Sequence, residues 1–367
     1  MPRTRRVDCS GPGIARLRRG RGFAYVDADG VRVTDEATID RIRALAIPPA
    51  WSDVWICRDP RGHIQATGID AAGRKQYRYH DDWRRRRDQA KFDAMVAFAR
   101  ALPALRRRVA ADLAPNGGGA GTDDLGEARV LACAVRLLDV GLFRIGGEDY
   151  AAQNETYGLT TLRKQHVRVE RDGLLFDFPA KHGVRRVQRV CDADVRPVIV
   201  ALKRRRGGGE ELLAFHRARR WVDVKADDVN AYLKEAAGGD FSAKDFRTWH
   251  ATALCAVALA VRAQEAGSRT SRTSRRRLVK AAIDEVATFL GNTPAVARGS
   301  YVDPRVIDRF EEGLTVAAAL AADHEQIEED EPVPEQNVSE RVRRAVLDLI
   351  AGEEDAPGVE EVEALAA

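Results

Sequence analysis

The sequence has few of the residues that form disulfides or bind transition metals. Its five cysteines are widely spaced without a CxxC motif, and its seven histidines are equally scattered. An odd number of distant cysteines argues against a disulfide framework, and structural zinc sites usually show a local ligand spacing. The basic part of the chain also lacks a clustered acidic motif for two metal ions, which argues against a magnesium-dependent nuclease. We therefore expect a protein that needs no metal or other cofactor.

Long apolar runs are missing as well. No stretch approaches the roughly 18 apolar residues of a membrane helix, and the basic start MPRTRRVDCSGPG lacks the apolar core of a secretory signal. We therefore expect a cytoplasmic protein with no membrane partner. With 367 residues and 44% hydrophobic content, the chain is long enough to form two compact domains.

Positive and negative charges are separated along the sequence. From Asp323 to the end there are fifteen Asp or Glu residues and three Arg, so the remainder carries about +16 although the whole chain carries +4. A body this basic suits a polyanion, because each phosphate that it neutralises releases counterions. Any single basic run, such as Arg84–Arg87, is equally consistent with a solvated face. The charge pattern therefore favours a nucleic-acid partner without identifying one.

Strand and turn patterns dominate the chain as far as Tyr79. GFAYVDADGVRV predicts a hairpin across Asp29-Gly30, and VWICRDPRGHIQATGID predicts another across Asp59–Gly62. A short helix is predicted between them, over 36–45. After Tyr79 the apolar residues recur at intervals of three or four, which indicates helices.

The rest of the chain is predicted to be mainly helical, with one small hairpin. The pattern predicts a break at the Gly-rich patch Asn116–Gly121, helices at 125–140, 242–263 and 276–290, a hairpin across Asp172-Gly173, and one amphipathic helix at 339–351. We therefore predict an α+β protein, which has a small β-rich N-terminal domain at 1–83, a larger helical domain at 84–322 and an acidic tail at 323–367. The tail is expected to be an appendage.

Four sequence motifs in the second half of the chain point to one family. They are FRIGGEDYAAQNETYGLTTLRKQHV with Arg144, FDFPAKHGV with Lys181, KDFRTWH with Lys244 and Arg247, and LGNTPAVARGSYV with Asn292 and Tyr301. In their order along the chain and in their local sequence, these motifs resemble the catalytic core of the poxvirus-like type IB DNA topoisomerases. The resemblance extends from about Ile47 to Asp308 and so covers most of the chain.

The reversible cleavage of a phosphodiester needs these residue types. A tyrosine phenol can attack phosphorus in line, and the resulting phosphotyrosyl ester conserves the energy of the broken bond. The departing 5′ oxygen must receive a proton from a positioned acid. Guanidinium groups stabilise the negative charge that spreads over the nonbridging oxygens.

The resemblance assigns a role to each residue. It implies that Tyr301 is the nucleophile of a 3′-phosphotyrosyl intermediate, that Arg144 and Arg247 hold the scissile phosphate, and that Lys181 is the general acid. The family usually has a histidine where this chain has Asn292. An amide N–H can donate the same hydrogen bond but carries no charge, so we expect a changed rate and an unchanged reaction.

A segment of the N-terminal part resembles the family's major-groove segment. In AAGRKQYRYHDDW, the resemblance implies that Gln76, Tyr77 and Tyr79 face bases and phosphates, and that Arg74 and Lys75 contact phosphates. The alternative is an aromatic strand end that packs on its own domain. Lys244 is a further predicted DNA contact.

The resemblance also implies how the protein acts as a whole. The two domains are expected to form a C-shaped clamp around double-stranded DNA, and the protein is expected to act as a nucleoid-associated monomer. A tyrosine recombinase shares the catalytic residue types, but it usually carries His-x-x-Arg where this chain has Lys244-x-x-Arg247. A nonenzymatic basic DNA-binding protein is the other alternative, and it would leave supercoiled plasmid unrelaxed.

Overall fold

A computed structural model describes residues 4–115, 125–266, 271–324 and 338–361. The chain divides into two compact units, Met1–Lys91 and Phe92–Ala367. This division and the predicted boundary at 83/84 both fall within one long helix, and the predicted domain bounds remain a prediction. The predicted break at Asn116–Gly121 lies outside the described residues.

The N-terminal unit is built on a five-stranded antiparallel sheet with the order β2-β1-β3-β4-β5. Its strands and its one complete helix are β1 (Ile14–Arg19), β2 (Gly22–Val26), α1 (Glu36–Ala44), β3 (Ser52–Ile56), β4 (Ile64–Ile69) and β5 (Lys75–Tyr79). A small core of Ile14, Ile42, Val54, Ile56 and Ala66 holds α1 against the sheet. The carboxylate of Asp35 caps this helix by accepting the N–H of Thr38 at 2.8 Å.

Both predicted hairpins of this unit form, but the first one is short. Across Asp29-Gly30 the N–H of Asp27 donates to the carbonyl of Val31 and the N–H of Val33 donates to that of Tyr25, each at 2.9 Å. The longer partner of β2 is β1, which it pairs with through a turn at Gly20. Arginines on both faces of β1 hide its alternation, so the sequence pattern did not reveal that strand. The hairpin across Asp59–Gly62 forms between β3 and β4, and the predicted short helix is α1.

The second unit is mainly helical around one large core, which confirms the predicted α+β class. Its helices are α2 (Asp81–Leu113, which begins in the first unit), α3 (Glu127–Gly141), α4 (Glu148–Asn154), α5 (Val195–Arg204), α6 (Ala226–Ala237), α7 (Ala243–Ala266), α8 (Arg272–Leu290), α9 (Pro294–Ser300), α10 (Pro304–Glu311), α11 (Ala317–His324) and α12 (Glu340–Ala351). Its small antiparallel sheets are formed by β6 (Val167–Val169), β7 (Leu174–Pro179) and β8 (Arg185–Val190), by β9 (Ala214–Arg217) and β10 (Arg220–Asp223), and by β11 (Leu314–Thr315) and β12 (Glu360–Glu361). In the described part of the chain, no helix has both the length and the apolar character needed to cross a bilayer.

Local capping signals explain where the two central helices begin and end. The backbone N–H of Ser242 donates to Oδ2 of Asp245 at 2.7 Å, and α7 begins at the next residue, as predicted. Helix α8 ends at Gly291, which adopts the left-handed conformation with φ +62°. The end of α8 is where the sequence placed it.

The predicted C-terminal helix is confirmed, but it is not part of an appendage. Helix α12 buries Val346 and Ile350 in the large core, and Nη1 of Arg343 donates to the carbonyl of Ala99 on α2 at 2.7 Å. The sequence showed the apolar face of this helix, but the acidic residues that surround it dominate the local composition and favoured an appendage. Residues 340–351 therefore belong to the folded second unit.

Candidate active site

The ends of α3 and α8 form the framework of the site. Helix α3 ends at Gly141 and is followed by Leu142 in the left-handed conformation, and α8 ends at Leu290 before Gly291. The last carbonyls of a helix have no partner within the helix. Here arginine side chains donate to them, so the two helix ends hold the cations of the site.

Arg247 links the two helix ends. It lies in the second turn of α7 and is 3% exposed. Its Nη1 donates to the carbonyl of Leu142 at 2.7 Å, and its Nη2 donates to the carbonyl of Leu290 at 2.9 Å. Burial lowers the pKa of Arg247 to about 10. Because this value still lies well above neutral pH, the guanidinium remains protonated. Its buried Nε has no hydrogen-bond partner among the described residues.

Tyr301 lies next to Arg247. The guanidinium carbon of Arg247 is 5.3 Å from the centre of the Tyr301 ring. The main chain at Tyr301 is fixed from both sides, because its N–H donates to Ala297 at 3.0 Å and its carbonyl accepts from Oγ1 of Thr252 at 3.2 Å. Thr252 and Arg247 both belong to α7, so one helix positions the phenol and the cation.

Arg144 and Asn292 meet beside the end of α8. Nη2 of Arg144 donates to the carbonyl of Gly291 at 3.0 Å and to Oδ1 of Asn292. The side-chain nitrogen Nδ2 of Asn292 is buried and has no partner among the described residues. The amide therefore holds Arg144 with its oxygen and keeps its N–H groups available for another acceptor.

Lys181 is near the site but not in contact with the other predicted catalytic residues. It lies in the exposed turn Lys181–Gly183 between β7 and β8. Its neighbour Ala180 lines a cavity of about 370 Å³ together with Arg144 and Gly291. The structure thus brings Arg144, Arg247, Asn292 and Tyr301 together, and it places Lys181 on an exposed turn next to a residue of this cavity.

A third arginine, Arg186, lies beside these residues, and the sequence did not indicate it. The Arg186 side chain donates through Nη1 to the carbonyl of Leu290 and through Nη2 to that of Gly141, each at 3.4 Å. Burial lowers the pKa of Arg186 to about 10, and the charges of Arg247 and Arg144 contribute to the shift. No signal within RRVQRV marks Arg186, because arginines occur on both faces of the strand, and only the structure shows that Arg186 and Gln188 are less exposed than their neighbours.

A buried ion-pair network lies between α2, α3 and α7. The carboxylate of Asp139 on α3 accepts two hydrogen bonds from Arg106 at 2.8 and 3.0 Å, and it lies 3.0 Å from Nε2 of His250 on α7. Burial alone would raise the pKa of Asp139, but the hydrogen bond to His250 and the charge of Arg106 hold it well below its usual value. The network joins the helix that carries Arg247 to the helix that precedes Arg144.

Three of the predicted DNA-contacting residues lie on the exposed face of β5, which is an edge strand of the N-terminal sheet. Tyr77 and Tyr79 are 41% and 40% exposed, and their rings stack with centroids 6.0 Å apart. Nζ of Lys75 lies 5.9 Å from the centre of the Tyr77 ring. Lys75, Tyr77 and Tyr79 are the more exposed, alternate residues of this strand.

The remaining predicted DNA contacts are arranged differently. Nε2 of Gln76, on the other face of β5, donates to Oδ2 of Asp70 at 2.9 Å, and Arg74 forms an ion pair with the same carboxylate at 2.9 Å. Lys244 is exposed in the first turn of α7. The predicted contacts therefore comprise one aromatic, basic face and three separate polar side chains.

Two family models match the chain. Residues 80–327 match the model described as eukaryotic DNA topoisomerase I, catalytic core, and residues 22–70 match the model described as bacterial DNA topoisomerase IB, N-terminal domain. A similar protein is the DNA topoisomerase 1B of Acanthamoeba polyphaga mimivirus, which is 30% identical over 298 residues. That alignment covers 79% of this chain and 85% of the viral protein.

Proposed function

The chain belongs to the type IB DNA topoisomerase family, and from this premise we propose that it relaxes DNA through a covalent bond between Tyr301 and a DNA phosphate. The observation that carries the proposal is the position of the phenol beside Arg247, whose guanidinium links two helix ends at 2.7 and 2.9 Å. A nucleophile next to a fixed cation is the arrangement that attack on a phosphodiester requires.

The proposed cleavage step exchanges one ester for another. A bond forms between Oη of Tyr301 and phosphorus, and the bond from phosphorus to the 5′ oxygen breaks. The phenol loses its proton to water, the 5′ oxygen gains one from Lys181 as it leaves, and Lys181 then recovers a proton from the solvent. The products are a 3′-phosphotyrosyl ester and a free 5′-hydroxyl strand end. Religation is the reverse reaction and recovers the energy of the broken bond, so it consumes no ATP, and the proposed step assigns the stabilisation of the phosphate to the protein's own cations.

Three groups would stabilise the transition state of this step. Arg144 and Arg247 would donate to the nonbridging oxygens, and Nδ2 of Asn292 would donate a further hydrogen bond. Both arginines are held by main-chain carbonyls before DNA arrives, so little reorganisation accompanies the reaction. Removal of one such donor typically slows an enzyme by about 10² to 10³.

Lys181 reaches the 5′ oxygen in this proposal when DNA binds beside its turn. The exposed position of the turn Lys181–Gly183 supports this role, because a solvent-exposed ammonium can approach a strand bound in the neighbouring cavity. The general acid is thus contributed by a turn, whereas the phosphate donors are held by helix ends.

The N-terminal unit would contact double-stranded DNA through β5. The stacked rings of Tyr77 and Tyr79 and the nearby ammonium of Lys75 offer apolar and cationic contacts on one face, and Arg74 and Gln76 would add polar contacts. Lys244 would add a further contact from the second unit. We also propose that the protein acts as a monomer that clamps DNA in the nucleoid. The proposed domains are residues 1–83 and 84–322, and residues 340–351 of the predicted tail belong to the second domain.

Plasmid relaxation with a variant of Tyr301 tests the proposed function. The wild-type protein should relax positively and negatively supercoiled plasmid without ATP and should form a covalent adduct with DNA. Tyr301→Phe should bind DNA and do neither, because it lacks the attacking oxygen. Tyr157→Phe, which removes a phenolic oxygen elsewhere in the second unit, is the matched control and should retain activity. Relaxation by Tyr301→Phe would refute the assignment of the nucleophile.

A further inference from the structure

Arg186 is held in one orientation by its neighbours on and beside β8. It lies on the less exposed face of the strand, whereas Arg189 is exposed and forms ion pairs with acidic side chains. Nε of Arg186 donates to Oε1 of Gln188 at 2.9 Å, and Nε2 of Gln188 donates to the carbonyl of Gly141 at 2.5 Å. Gln188 therefore fixes the plane of the Arg186 guanidinium.

Three guanidiniums lie around the end of α8. Nη1 of Arg186 is 3.4 Å from the carbonyl of Leu290, which also accepts from Arg247 at 2.9 Å. A methyl group at Gly291 would lie 3.7 Å from the same Nη1, and the carbonyl of Gly291 accepts from Arg144 at 3.0 Å. Arg186 is therefore adjacent to the two arginines that already form the proposed phosphate site.

The positive charge of this cluster is not neutralised by acidic side chains. Within the ranges that the structure describes, the donors of Arg144, Arg186 and Arg247 meet carbonyl oxygens of the main chain and amide oxygens of side chains, and no carboxylate forms an ion pair with them. Arginine stays protonated at neutral pH, and like charges repel strongly where water is excluded. An anion in this position would relieve that repulsion.

The hydrogen bonds of Arg186 leave donor capacity for such an anion. Both of its Nη contacts are 3.4 Å long, at the weak end of the range, whereas those of Arg247 are 2.7 and 2.9 Å. Arg186 also lines the 370 Å³ cavity together with Arg144 and Thr288. A planar guanidinium at the wall of a cavity can donate to the oxygens of a phosphate.

We propose that Arg186 is a third guanidinium of the phosphate site and donates to a nonbridging oxygen of the scissile phosphodiester beside Arg144 and Arg247. This inference rests on the proposed function, because it assigns one more residue to the same reaction. In this role Arg186 stabilises the negative charge of the phosphate. In a purely structural role, Arg186 would only hold β8 against the end of α8.

Cleavage of charged and neutral linkages distinguishes the two roles. After the wild-type cleavage position has been mapped on an oligonucleotide duplex, adduct formation is measured in single turnover with saturating enzyme. One duplex carries the ordinary phosphodiester at that position, and the other carries a methylphosphonate, which lacks the negative charge. The variants are Arg186→Gln and Arg186→Lys, and the control is Arg168→Gln, an exposed arginine on β6 of the same sheet that is not among the residues lining the cavity.

The proposal predicts a loss that depends on the linkage. Arg186→Gln should slow cleavage of the phosphodiester by about 10² to 10³ but slow cleavage of the methylphosphonate by less than about 10. Arg186→Lys, which keeps the charge, should retain an intermediate rate, and Arg168→Gln should match the wild type on both duplexes. Loss of folded protein would lower both cleavage reactions together, so it cannot produce the expected difference.

Other outcomes would overturn the proposal in recognisable ways. Equal slowing on the two linkages would show that Arg186 only supports the strand, and an unchanged rate for Arg186→Gln would remove it from the site. Either result would leave a wild-type adduct at Tyr301 intact. Absence of that adduct in the wild type would instead refute the proposed function itself.

Discussion

Asn292→Asp separates the stability of the site from its activity. The two side chains have the same shape, but the change replaces the buried donor Nδ2 with a carboxylate oxygen. Arg144 already donates to Oδ1 of this residue, and Arg186 and Arg247 lie against the two residues that precede it. A carboxylate at this position would therefore neutralise part of a cluster of positive charge.

The structure gives the direction and the approximate size of both effects. A hydrogen bond between a charged pair stabilises a protein by about 1.5 to 3 kcal/mol, and 1 kcal/mol shifts the Tm of a domain of this size by roughly 2 to 4 °C. We expect the Tm of Asn292→Asp at pH 7 to rise by about 3 to 12 °C. Cleavage should slow by more than about 10³, because one donor is lost and the new charge repels the phosphate.

Thermal unfolding and single-turnover cleavage are measured on the same preparations, with Asn292→Ala as the control. The alanine variant loses both the acceptor for Arg144 and the N–H donor, so it should be less stable than the wild type as well as slower. A lowered Tm in Asn292→Asp would show that the arginine cluster is not electrostatically strained. Wild-type cleavage by Asn292→Asp would show that the amide does not donate to the phosphate.

Three further predictions concern the acid, the metal requirement and the buried network. Lys181→Ala should slow cleavage at an ordinary 5′ oxygen by about 10² or more but have little effect with a 5′-bridging sulfur, which leaves without a proton; equal slowing would exclude the acid role. EDTA should leave relaxation intact, because the proposed step relies on the guanidiniums of Arg144 and Arg247 to stabilise the phosphate, and complete loss of relaxation would indicate a metal enzyme. Asp139→Asn should lower the free energy of unfolding in urea at pH 7 by about 3 to 5 kcal/mol, because it leaves the Arg106 charge without its partner, whereas the exposed Asp172→Asn should have little effect. Since the pKa of Asp139 is held below its usual value, the stability that this carboxylate contributes should be present at neutral pH and be lost as the pH falls below about 3.9. A difference in stability between the wild type and Asp139→Asn that persisted at low pH would contradict this.

The sequence was most informative where a local rule decides the structure. Ser242 with Asp245 predicted the start of α7, and Gly291 predicted the end of α8, because a capping box and a left-handed glycine act over a few residues. The four segments that resemble the family could also be found, since each has a distinctive local sequence. The family matches bear out the resemblance based on those segments and favour a topoisomerase over a recombinase.

Features that depend on distant contacts could not be predicted in the same way. Arg186 enters the site because β8 lies against the end of α8, and nothing within RRVQRV indicates that neighbour. The double role proposed for Asn292 depends on Arg144, which lies 148 residues earlier in the chain. The β1–β2 hairpin was missed because arginines replace the apolar residues that usually mark one face of a strand.

The packing of α12 determines how the acidic end of the chain can be studied. Deletion of everything after His324 would remove Val346 and Ile350 from the large core, and it would remove the bond between Arg343 and Ala99. A shortened protein would then expose apolar surface on its remaining helices and would be prone to aggregate, whatever the acidic residues do. Their contribution is better measured by exchanging exposed glutamates for glutamines in the full-length protein, which changes the charge and keeps the core complete.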